Sequence, residues 1–142
     1  MTSVDFYFNA ADKLQVACRL AGKAMAQRKR LLIYAPQADT AQRIDRLLWT
    51  WQATGFVPHC RCDHRLAPLT PVIVDHRGEP LIHDQVLVNL CDDTPPFFSR
   101  FQRLAEIVST EDQDREAARS RFRFYRDRGY EIVTHQLGGT ES

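Results

Sequence analysis

Glycine is missing from the one place where a nucleotide would need it. The first strand-to-helix turn reads Asn9-Ala-Ala-Asp-Lys13, and all six glycines lie elsewhere. Without a Gly-rich turn the backbone cannot approach a pyrophosphate, and without a glycine-and-lysine cradle it cannot wrap a triphosphate. A Gly-x-Ser-x-Gly elbow is absent too, which removes one familiar strand-borne nucleophile. Four cysteines, Cys18, Cys60, Cys62 and Cys91, are too few and too scattered for a disulfide scaffold. No apolar run is long enough to span a bilayer, and the N-terminus has neither the basic nor the apolar region of a secretory signal. These absences predict a cytoplasmic protein with reduced thiols and no membrane contact. Net charge is nearly missing as well: 19 Lys and Arg against 18 Asp and Glu leave +1. The whole molecule is therefore no polyelectrolyte partner for nucleic acid, and any electrostatic function must be local.

What is present is an alternation of two periodicities. Val4–Phe8 alternates and is rich in aromatics, as a strand requires. Residues 11–28 carry Leu14, Val16, Ala17, Leu20, Ala21, Ala24 and Met25 at helical spacing. Leu31–Ala35 is a short apolar run typical of a buried parallel strand. A second helix over 38–52 turns Ala41, Ile44, Leu47, Leu48 and Trp51 inward and stops at Gly55. Residues 56–71 read as loop with one short extended piece. Val72–Val74, Gln85–Leu90 and Leu104–Val108 are further strands, and Tyr130–His135 is the last. The pattern predicts an α/β fold, a three-layer sandwich around a mainly parallel sheet. It spans residues 1–137 as one domain, with 138–142 a frayed tail.

Between the last two strands lies the densest charge in the chain. Arg115, Arg119, Arg121, Arg123, Arg126 and Arg128 fall within 14 residues, offset only by Glu116 and Asp127. Ser109 or Thr110 is placed to cap this helix, Thr110 forming a capping box with Gln113, and Gly129 is a natural terminator. On a helical wheel Arg115, Arg119, Phe122 and Arg126 lie within about 60° of one another, with Arg123 beside them. Ala117, Ala118, Phe124 and Tyr125 form the opposite arc, interrupted near its edge by Arg121 and Arg128. Like charges on successive turns cost about 0.2–0.5 kcal/mol per pair. The segment contains no Lys, and Arg is preferred where carboxylate or phosphate is gripped bidentately. Both a solvated amphipathic surface and an anion-binding surface with an apolar centre fit this pattern.

Three other clusters are weaker. His59-Cys-Arg-Cys-Asp-His64 holds zinc-competent side chains, but their spacing lacks the two separated pairs of a closed site, so no metal is expected. Asp92-Asp93 ends a strand and has no acid–base partner in the sequence, so no catalytic residue is assigned. Trp49 falls about 160° from Leu47 and points outward, and Phe56, Val57, Pro58 and His59 follow it. That composition fits an interface core and fits packed interior equally well.

Taken together, several of these motifs resemble the chi subunit of the bacterial DNA polymerase III holoenzyme. The resemblance rests on Val4–Phe8, Leu31-Leu-Ile-Tyr34, Ile44-Asp-x-x-Leu47-Leu-Trp49, Phe56-Val-Pro-His59, Val86–Leu90 and the Arg119-to-Tyr130 pattern. It implies a nucleotide-binding-like topology without a phosphate loop, and a non-catalytic adaptor without a cofactor. It further implies a heterodimer with the psi subunit through Trp49, Phe56, Pro58 and His59, with the clamp loader reached via psi. It places the acidic C-terminal tail of single-stranded DNA-binding protein on Arg115, Arg119, Phe122 and Arg123, with Arg126 adjoining. Contact with DNA is then only indirect. The alternative is a domain that binds single-stranded nucleic acid directly through the same arginines. Phe122 and Arg123 stand where family members often carry Tyr and Lys, so a phenolic hydrogen bond is lost while ring and charge remain. The Cys60–His64 loop is not part of the family pattern.

Overall fold

The computed structural model describes residues 2–50, 59–61, 72–75 and 84–137. In chain order the elements are β1 (Ser3–Ala10), α1 (Lys13–Ala26), β2 (Leu31–Tyr34), α2 (Ala38–Thr50), β3 (His59–Arg61) and β4 (Val72–Asp75). There follow β5 (Val86–Asn89), a 3-10 turn (Phe98–Arg100), β6 (Arg103–Ser109), α3 (Asp112–Asp127) and β7 (Ile132–Gln136). The strands form one sheet in the order β3-β4-β2-β5-β6-β1-β7. Every pairing is parallel. The short extended piece expected within 56–71 is β3, an edge strand paired with β4.

Apolar runs become buried parallel strands because both of their faces are covered. Leu31 and Ile33 face one side, where α1 and α2 pack with Val16, Ala17, Ala21, Ile44 and Leu48. Leu32, Val4 and Phe6 face the other, against Phe98, Phe101, Ala118 and Tyr125. The α1 and α2 layer therefore lies opposite α3, giving the three layers that the alternation predicts. Trp51, Phe56 and Pro58 lie outside the described residues, as do 138–142, and the side chains of Trp49 and His59 lie outside the described ones. No described helix is long and apolar enough to cross a membrane.

Two left-handed residues shape the sheet's ends. Asn9 (φ 67) sits at a register shift between β1 and β6, bending the strand before the first turn. Arg28 (φ 59) ends α1, with the Lys29 amide donating to the Ala24 carbonyl at 2.8 Å.

Candidate functional site

In a parallel α/β sheet the first place to look is the crevice outside the carboxyl ends of the strands. Here it measures about 370 Å³ and is lined by Asp12, Lys13, Thr40, Arg43, Glu111 and Asp114, among others. Its helix ends are already occupied by the protein's own side chains. The Asp12 carboxylate caps α1, accepting from the amides of Leu14 (3.0 Å) and Gln15 (3.4 Å). The Asp114 carboxylate accepts from the Ser109 amide (2.7 Å) and from Lys13 Nζ (2.9 Å). Burial would raise the Asp114 carboxyl, but those two partners outweigh it and hold the group below its ordinary value. Three carboxylates at this lip disfavour a phosphate, in line with the glycine-free turn.

The same contacts correct the expected cap of α3. No Thr110–Gln113 box forms: the N-cap is Glu111, without a side-chain cap bond. The Ser109 hydroxyl accepts from the Glu111 amide at 3.3 Å, and Asp114 reaches back to Ser109. Acidic Asp112 and Asp114 in the first turn and Arg126 in the last still suit the helix dipole. At the other end Gly129 takes φ 82. Its amide donates to Arg126 and the Tyr130 amide to Tyr125, closing the helix in a Schellman turn.

The inward face of α3 departs from the expected one in a single residue. Arg121, read as an interruption at the edge, is 2% exposed. Its Nε donates to Glu106 Oε1 at 2.9 Å, and its guanidinium also donates to the Asp92 carbonyl at 2.7 Å. Glu106, on β6, is fully buried and accepts in addition from the Tyr125 hydroxyl (2.6 Å) and the Asn89 amide (3.0 and 3.1 Å). Burial pushes the Glu106 carboxyl up, opposed by the guanidinium and these donors. Burial and the neighbouring carboxylate also push the Tyr125 phenol up, so it stays a donor. Such a pair fixes geometry more surely than it adds stability. It anchors α3 in rotation, and that rotation decides which arginines reach solvent. The signal was in the sequence: a Glu within the apolar Leu104–Val108 run demands a buried partner.

With Arg121 turned inward toward β6, Phe122 lies about 100° round the helix and turns toward β1. Its ring meets Phe6 at 5.2 Å, and Phe6 in turn stacks on Phe8 at 5.7 Å. Phe122 is thus half-buried, joined to the core rather than standing on the surface. Arg115, Arg119 and Arg126 share its flank, and Arg123 lies next to them; all four are exposed. Arg126 pairs with Asp127 at 3.2 Å. Arg115, Arg119 and Arg123 have no carboxylate partner among the described residues. Arg119 and Arg123 also border an open depression of about 470 Å³ along α3, with Gln113, Glu116, Ala117 and Ser120. On the far side of α3, Arg128 lies over the Phe124 ring at 3.6 Å. The arrangement can grip carboxylates with free guanidinium groups beside an aromatic surface.

Of the other expected residues, the two whose backbone is described are not brought to this place. Trp49 lies on α2, in the opposite layer, and His59 lies in β3, at the opposite edge of the sheet from β7. Among the described residues no His, Cys, Asp and Glu side chains gather as a metal site. The side chains of Cys60, Cys62 and His64 lie outside the described ones.

The family model described as DNA polymerase III chi subunit, HolC, matches residues 1–133. The DNA polymerase III subunit chi of Pseudomonas aeruginosa is 41% identical over 143 residues, covering 96% of this chain and 98% of the relative. That of Haemophilus influenzae is 28% identical over 125 residues, 87% of each chain. That of Escherichia coli is 28% identical over 121 residues, 84% of this chain and 82% of the relative. On the length and level of these matches, the chain belongs to the family of DNA polymerase III chi subunits.

Proposed function

We propose that this chi subunit is a non-catalytic adaptor in DNA replication that links two partners through separate surfaces. The α3 surface, with Arg115, Arg119, Phe122, Arg123 and Arg126, takes the acidic C-terminal tail of single-stranded DNA-binding protein. Trp49, Phe56, Pro58 and His59 form the contact with psi, through which the clamp loader is reached. The observation that carries the first half is the exposed Arg115, Arg119 and Arg123, without carboxylate partners among the described residues, beside the half-buried Phe122. Guanidinium forks suit the tail's carboxylates, and the ring offers an apolar contact to its terminal Phe. The second half is supported by the placement of α2 and β3 away from α3, which leaves both partners room to bind at once.

Calorimetric titration with a synthetic tail peptide tests the first surface. The peptide should bind modestly and more weakly as salt rises, because exposed charges meet across it. Arg119→Ala should remove most of the affinity. Unchanged affinity would show that the tail binds elsewhere. Equal competition by a single-stranded oligonucleotide without the tail would favour direct nucleic-acid binding instead.

A further inference from the structure

Beside the arginine flank runs the sheet's terminal strand, β7. The Val4 amide donates to the Glu131 carbonyl at 3.0 Å, and the Leu137 amide donates to the Phe8 carbonyl at 2.9 Å. Odd positions thus bond to β1, so by the alternation of a parallel ladder the amides and carbonyls of Ile132, Thr134 and Gln136 point outward. Natural sheets blunt such edges with charge, proline or a bulge. This one reads Ile-Val-Thr-His-Gln, with no Lys, Arg, acid or proline, and its register with β1 is unbroken. Val133 is 43% exposed, the one large apolar side chain among the described residues to stand so far out. The strand is also firmly held. His135 stacks on Tyr7 at 4.5 Å, and its Nε2 lies 3.2 Å from the Asp5 carboxylate, which also pairs with Arg103 at 3.4 Å. A β-branched edge without Lys, Arg, Asp or Glu, held in unbroken register on β1, is a template for another strand.

The neighbouring side chains select the occupant. Phe6 is in register with Thr134, and Phe122 rests on Phe6. The Arg115, Arg119 and Arg126 flank of α3 therefore lies on the β7 side of the helix, over the face that carries Thr134 and Gln136. We propose that an acidic peptide binds as an eighth strand on β7, parallel or antiparallel. Its main chain pairs with Ile132, Thr134 and Gln136, and one row of its side chains turns toward the arginines. The other row meets Val133 and His135. This deepens the tail-binding reading and rests on it: the arginines select charge, and the edge fixes an extended backbone without regard to side-chain identity.

The test uses the full chain and a synthetic acidic peptide ending in Phe. Amides of Ile132, Thr134 and Gln136 should exchange quickly in the free chain and slow at least tenfold at saturation. Thr134→Pro removes one outward amide without touching the ladder to β1. It should weaken the peptide roughly tenfold, the worth of about one hydrogen bond, while the melting temperature holds. If saturation leaves those amides unchanged while Arg119→Ala still abolishes binding, strand addition is wrong and the arginine site stands. If neither variant alters affinity, the tail-binding reading fails with it. If the amides are already protected without peptide and the chain sediments as a dimer, a second copy fills the edge and the proposal is overturned.

Discussion

The two faces of the sheet are held by different physics. Under α1 and α2 the interface is aliphatic and small: Ala17, Ala21 and Ala24 let the helix approach closely, and Ile44 and Leu48 fill the space beside them. The buried carboxylate on this side, Asp5, pairs with Arg103 and His135 of the neighbouring strands and ties down no helix. Under α3 the contact is made by rings, with Phe98 edge-on to Tyr125 at 5.1 Å and to Tyr130 at 5.2 Å, around the Glu106–Arg121 pair. Shape alone allows a helix some rotation, whereas directed hydrogen bonds do not. The layer proposed to hold a charged peptide is the one whose angular setting is fixed by bonds.

Unfolding measurements on each face can break that contrast. Arg121→Ala should have the largest effect, about 3–5 kcal/mol in denaturant titration, because it leaves the Glu106 carboxylate buried without its counter-ion. Replacing the pair together, Arg121→Met with Glu106→Leu, should recover part of the loss but not all, since Tyr125 and Asn89 lose their acceptor. On the other face Ile44→Ala should cost about 2–4 kcal/mol through its cavity and leave peptide affinity unchanged. If Arg121→Ala proved no costlier than Ile44→Ala and left peptide affinity intact, the contrast between the faces would collapse.

The smallest effect concerns pH. The Asp114 carboxyl is held below its ordinary value in the folded chain, so its contribution is full above the unfolded value, near pH 4. It is lost as pH falls through the lower folded value. Asp114→Asn should therefore be less stable than the parent by about 1 kcal/mol at neutral pH, and the two unfolding curves should converge in acid. A constant gap down to pH 2 would show that the Lys13 and Ser109 contacts do not depend on the charge.

Much of the architecture was legible because burial on two faces leaves an unmistakable trace. Leu31-Leu-Ile-Tyr34 and Val86-Leu-Val-Asn89 are apolar without alternation, as only covered strands can be. The helix ends were legible where one residue decides, as at Gly129, and not where several polar residues compete, as over Ser109–Asp114. The arginine flank was legible from spacing alone. The inward turn of Arg121 was legible only in part: the wheel sets it amid the arc of Ala118 and Tyr125, but its partner Glu106 sits in another element. The edge position of β7 was equally hidden, since strand order in a parallel sheet is set by crossovers rather than by local sequence.

The Lys13–Asp114 ion pair has a mechanical meaning. Lys13 opens α1 and Asp114 lies in the first turn of α3, helices on opposite faces of the sheet, yet the two side chains meet at 2.9 Å past the ends of β1 and β6. They form a clasp around the rim of the sheet. In the proposed role, a subunit tethering one partner to another would work under tension, and a helix pulled from outside peels first at an unsecured end. Here the amino end of α3 is buckled to the layer behind it, so a load applied to the proposed arginine site would reach both helices.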